Sequence, residues 1–209
     1  MDDWNFGAWR DALRDAGPSR AVLVGLAAAE RAAGCLQDDR AARFGAEGPA
    51  QARDLLEACW RGADPHRTSA RAEALADWAT AYLERSLTEE FRAWGPDGDD
   101  EDDGGPLELA DFLADAEPGG AVALHLTAAM AVSEAAAACA GGAWDGALRC
   151  LQSVADLPGE PQRQQADLAQ VLAAPDAGLA TAAEALRRRA AGDARGHRAH
   201  CEALALDAD

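Results

Sequence analysis

Apolar residues recur along this chain at helical spacing. Nowhere do they alternate with polar ones over a run rich in β-branched or aromatic residues, as a strand would require. Trp4, Trp9 and Leu13 outline a short first helix that Gly17-Pro18 stops, with Ser19 placed to cap the next. In that next helix Val22, Leu26, Ala29, Ala33 and Leu36 fall at i, i+4, i+7, i+11 and i+14, one continuous face, with Glu30, Arg31, Asp38 and Asp39 off it. A third helix opens at Gly48-Pro49 and buries Leu55, Leu56, Cys59 and Trp60 until Asp64-Pro65 breaks it. Thr68 or Ser69 is placed to cap a fourth, which carries Leu75, Trp78 and Tyr82 and extends through Phe91 and Trp94.

Residues 107–114 read as a brief helix and 121–140 as a long alanine-rich one. Gly141-Gly142 leaves only a short link, so the helix from Trp144 through Leu148, Leu151 and Ala155 must run back antiparallel beside it. Pro161 opens another helix, Pro175 interrupts it, and Asp176 caps a last one through Leu179 and Leu186 into Arg187-Arg188-Arg189. Those arginines suit the negative end of a helix. The pattern predicts an all-α fold, a bundle of roughly seven to nine helices packed mostly as antiparallel neighbours. Residues 1–92 supply its N-terminal helices, 93–106 an acidic linker and 107–192 the C-terminal helices of the same bundle. Residues 193–209 read as a frayed tail.

Charge changes the picture more than composition does. The 209 residues carry a net charge of −18, and from position 93 to 148 there are twelve acids and no arginine. The first 92 residues contribute −4 and the last 61 contribute −2. A field gathered on one segment repels nucleic acid and anionic membrane and attracts basic surfaces. Lysine and isoleucine are absent, as expected of a GC-rich genome, so Schiff-base and lysine-base chemistry are excluded. Five widely spaced cysteines with no C-x-x-C pattern point to reduced, buried thiols. An acidic N-terminus and a best apolar run (residues 21–29) too short to cross a bilayer make the cytoplasm the expected compartment.

Three stretches carry a family likeness. AAAERAAGCL (27–36), a Phe44-Gly45 loop and ARDLLEACW (52–60) resemble the front half of a bacterial all-helical family catalogued as domain of unknown function 416. AVSEAAAACAGGAWDGAL (131–148) is similar to its central helix pair. The resemblance covers about two-thirds of the chain in order, mostly at packing positions, and the acidic run departs from it. It implies an all-helical bundle and transfers no catalytic residue.

Candidate chemistry is sparse. Set against an EF-hand loop, Asp99, Glu101, Asp103 and Gly104 place Ala110 where the closing glutamate must stand, so a solvated linker between Pro96 and Pro106 is the better reading. His197, His200 and Cys201 form H-x-x-H-C, one face of a helix, and are weak metal candidates whose fourth ligand is remote in sequence; no metal or cofactor is assigned. His125 shares a face with Ala128, Val132 and Cys139, as a satisfied half-buried histidine would. No nucleophile elbow, Walker loop, dinucleotide fingerprint or zincin motif is present. Trp60, Trp78 and Trp144 fall on core faces, while Trp4, Trp9 and Trp94 flank helix ends or the acidic linker.

These features point to a non-enzymatic binding protein with a basic protein surface as partner and no nucleic acid or membrane. Its contact residues would be Trp94, Asp97, Asp99, Asp100, Glu101, Asp102 and Asp103. An immunity or inhibitor protein neutralising a basic toxin is its sharpest form. The alternatives are an enzyme or small-molecule carrier with a site between helices, using Cys59, His125 or Glu134, and an oligomeric regulator; oligomeric state is not legible in the sequence.

Overall fold

The computed structural model describes residues 5–43, 45–94, 119–141 and 144–204. Among them are eight α-helices and no strand: α1 (Phe6–Ala16), α2 (Pro18–Ala32), α3 (Glu47–Trp60), α4 (Pro65–Trp94), α5 (Gly120–Gly141), α6 (Trp144–Ser153), α7 (Glu160–Ala173) and α8 (Leu179–Glu202). Three 3-10 turns join them, Cys35–Gln37, Asp39–Ala42 and Asp176–Gly178. The expected all-α bundle is what forms.

Helix starts differ from the sequence reading where a proline outranks a hydroxyl. α2 begins at Pro18 behind Gly17, whose φ of 82° suits glycine alone, and Ser19 lies inside the helix. The Asp64 carboxylate accepts from the His66 and Arg67 N–H groups at 2.9 and 3.2 Å, so Asp64-Pro65 opens α4 instead of only closing α3. Thr68 is then internal, and α4 runs 30 residues without a break, about 45 Å at 1.5 Å per residue.

Two helices form the centre. α2 packs against α1, α3, α5, α6, α7 and α8, and α5 against α2, α3, α4, α6 and α8. Surrounded on most sides, α5 is apolar all round and is the one described helix long and apolar enough to cross a membrane; eleven of its residues are buried within the bundle. α4 and α5 are antiparallel, because Tyr82 meets His125 while Ala72 meets Ser133. Trp94 and Gly120 therefore lie towards the same end of the bundle.

Alanine and glycine let the axes approach closely. A Cβ on Gly25 would stand 3.1 Å from the Ala147 Cβ, where α2 crosses α6, and one on Gly34 would overlap the backbone carbonyl of Ala194 in α8. The chain beyond Gly192, expected to fray, continues as helix to Glu202 because Ala194, His197 and Cys201 are buried against the rest of the bundle. That extension moves Arg187-Arg188-Arg189 from a helix end to the first half of α8.

Candidate functional site

The acidic residues Asp97, Asp99, Asp100, Glu101, Asp102 and Asp103 lie outside the described residues, as do Trp4, Phe44 and residues 107–114. Trp94 is the last residue of α4. Among the described helices, arginines are largely engaged with the chain's own acids. Arg20 pairs with Asp176 at 2.7 Å, Arg43 with Glu89 at 2.5 Å, Arg149 with Glu134 at 2.7 Å and Arg198 with Glu202 at 2.7 Å. Arg187 pairs with Glu57 and lies 5.9 Å from the centre of the Trp60 ring. Trp9, set apart in the sequence from the tryptophans on core faces, is 2 % exposed and belongs to the core.

Arg31, which the sequence places off the apolar face of its helix, is interior. Arg31 is fully buried, its Nε donating to Glu160 Oε2 at 2.8 Å, Nη2 to Oε1 at 2.5 Å and Nη1 to Asp167 Oδ2 at 2.6 Å. Asp167 also pairs with Arg189. Burial works against the Arg31 charge, but Glu160 and Asp167 overcome it and raise its pKa. Burial pulls Glu160 up and Arg31 pulls it down; the short two-point geometry argues that both groups are ionised. This charge is tolerated inside because each of the three guanidinium nitrogens donates to a carboxylate.

The H-x-x-H-C triplet divides. His197 and Cys201 are one turn apart and both buried, but they face different clusters. The His197 Nε2 lies 3.3 Å from Arg163 Nη1 and 3.8 Å from Glu160 Oε2, and its Nδ1 has no hydrogen-bond partner. Burial, then the Arg163 and Arg31 charges, hold this imidazole down to about 4. His200 is half-buried and joins neither cluster.

Cys201 instead meets Asp38 and His125, two residues that the sequence separates by 87 positions and that are likewise buried. One ligand atom from each of the three lies within 4.8 Å of the others. His125 Nε2 is 3.4 Å from Asp38 Oδ2 and Cys201 Sγ is 3.6 Å from the same oxygen. The other imidazole nitrogen, Nδ1, is 2.7 Å from the Tyr82 hydroxyl, whereas Nε2 makes no hydrogen bond. His125 is therefore fully buried and only half satisfied, not the satisfied half-buried group expected. Burial would raise the Asp38 pKa, but Arg40, bonded through its guanidinium and its backbone N–H, pushes it down to about 2. Cys35 is also buried and acts on the Cys201 thiol, while its own thiol contacts the His197 carbonyl at 3.7 Å.

The residues an enzymatic reading would use are not brought together. Cys59 shares a thiol hydrogen bond with Cys139, His125 sits in the cluster just described, and Glu134 pairs with Arg149. Two grooves remain. One of about 550 Å³ between α2, α3 and α8 is lined by charges of both signs, including Glu30, Arg53, Asp54, Glu57 and Arg187. The other, about 590 Å³ between α4 and α5, is mainly apolar, with Leu83, Leu126 and Met130 along it.

Comparisons with models of protein families, with curated proteins and with solved structures find no match for this chain.

Proposed function

We propose that this chain is a non-enzymatic, acidic protein-binding module that captures a basic partner, in its sharpest form an immunity or inhibitor protein. The observation that carries the reading is charge segregation. Many described arginines are engaged by the chain's own acids, while positions 93–148 hold twelve acids and no arginine. Negative charge concentrated on one segment of the sequence steers a basic surface to the molecule and accelerates encounter. Trp94 and Gly119, the described residues on either side of positions 95–118, lie towards one end of the bundle. The likeness to the domain of unknown function 416 family is kept as a proposal of shared packing only.

The test is affinity capture by the full chain at moderate salt, followed by elution with rising salt. It is repeated with Asp97, Asp99, Asp100, Asp102 and Asp103 changed to Asn and Glu101 to Gln. A stoichiometric basic partner, released by salt and lost from the neutralised variant, is expected. No partner, or one held equally by the variant at high salt, would overturn the reading.

A further inference from the structure

We propose that Asp38, His125, Cys201 and Cys35 form a buried structural site for a divalent transition metal, zinc by its donor set. The argument begins with the spacing of the ligand atoms. Zinc bonds of about 2.05 Å to nitrogen, 2.1 Å to oxygen and 2.3 Å to sulfur, set at the tetrahedral angle, separate the ligands by roughly 3.4 Å (N to O) and 3.6 Å (S to O). The observed separations are 3.4 Å for His125 Nε2 to Asp38 Oδ2 and 3.6 Å for Cys201 Sγ to the same oxygen. The His125–Asp38 contact makes no hydrogen bond, the Cys201 thiol donates to the Asp38 carboxylate, and both separations match the edges of a coordination tetrahedron.

The second observation is the imidazole. His125 is 0 % exposed, and its Nε2 has no hydrogen-bond partner. A polar atom left in that state carries a desolvation penalty that a metal would remove. Tyr82 meanwhile holds Nδ1 at 2.7 Å, fixing the ring so that Nε2 points at the cluster, which is how outer-shell partners orient a ligating histidine.

The charge count agrees. Two thiolates, one carboxylate and a neutral imidazole around a divalent ion leave one negative charge. Arg40 supplies the balancing positive one, donating from Nη2 to Asp38 Oδ2 at 2.6 Å. Cys35, buried and acting on the Cys201 thiol, would supply the fourth ligand by exchanging its 3.7 Å contact with the His197 carbonyl for the metal. The ligands come from the turn after α2, from α5 and from α8. All four are buried, so the ion would have no open position for substrate and would clamp the end of α8 to the central helices.

The test uses the reduced full-length chain, stripped with chelator and titrated with Co²⁺ and then Zn²⁺. About one equivalent of Co²⁺ should bind with the intense visible bands of a tetrahedral ion and a near-ultraviolet thiolate charge-transfer band. Zn²⁺ should displace it and raise the melting temperature by about 5 °C or more. Cys35→Ser should roughly halve the charge-transfer band, Cys201→Ser and His125→Gln should abolish the spectrum, and Cys59→Ser should leave it intact. Uptake well below one equivalent, the weak bands of an octahedral ion, or a spectrum unchanged by Cys201→Ser would each overturn the proposal. The unmodified chain alone decides the first two, whether or not a variant folds.

Discussion

Arg31 and Glu160, 129 positions apart, meet with no solvent exposure on either side chain, the guanidinium gripping the carboxylate through two hydrogen bonds. The pair joins α2 to α7, and through Asp167 it reaches Arg189 of α8. Removing Arg31 strands the Glu160 carboxylate in the interior and leaves Asp167 with Arg189 alone. Arg31→Met should therefore destabilise the fold by about 3–5 kcal/mol in urea unfolding. Adding Glu160→Gln and Asp167→Asn in the same chain should restore part of that loss, because it removes the stranded charges. A triple variant no more stable than the single one would show that the cluster acts through shape alone.

His197 should make stability fall in mild acid. Its folded-state pKa of about 4 lies below the ordinary value of 6.5, so the unfolded chain takes up the proton first. Stability is then unaffected above pH 6.5 and declines as pH drops through the window from about 6.5 to 4, by on the order of 2 kcal/mol. Arg163, Arg31, Glu160, Asp193 and His200 act on this ring, so the wild type alone does not isolate it. The measurement is the difference between wild type and His197→Gln across that window, with the variant showing the flatter profile.

Three glycines should respond in opposite directions to alanine. Gly34→Ala drives a methyl into the Ala194 backbone and should cost roughly 2 kcal/mol or more, since α8 must shift. Gly192 and Gly196 have open space where a Cβ would go and lie inside α8. Alanine there should stabilise by about 0.5–1 kcal/mol each through helix propensity. Thermal melts of the three variants check both signs.

Tyr82→Phe removes the partner of His125 Nδ1 from a site closed to water. The loss should be about 1–3 kcal/mol, more than an exposed tyrosine hydroxyl would give. Equal stability of the two proteins would mean that the imidazole finds another partner.

Helix periodicity alone was enough for the architecture, because apolar spacing decides which segments are helical before any of them packs. The long α5, its packing against α6 and the core roles of Leu55, Leu75 and Trp78 follow from it. Caps were less legible: Pro18 and Pro65 compete with nearby hydroxyls, and which one starts a helix depends on the backbone entering it. Burial of charge was not legible at all. Arg31 and Asp38 look like surface residues until α7, α8 and Arg40 close over them. The H-x-x-H-C spacing drew attention to Cys201, but the buried groups beside it, Asp38 and His125, are remote in sequence and could not be read from that spacing. A helix sets which residues share a face, whereas the residues meeting across that face come from packing of remote helices, and that is decided only in three dimensions.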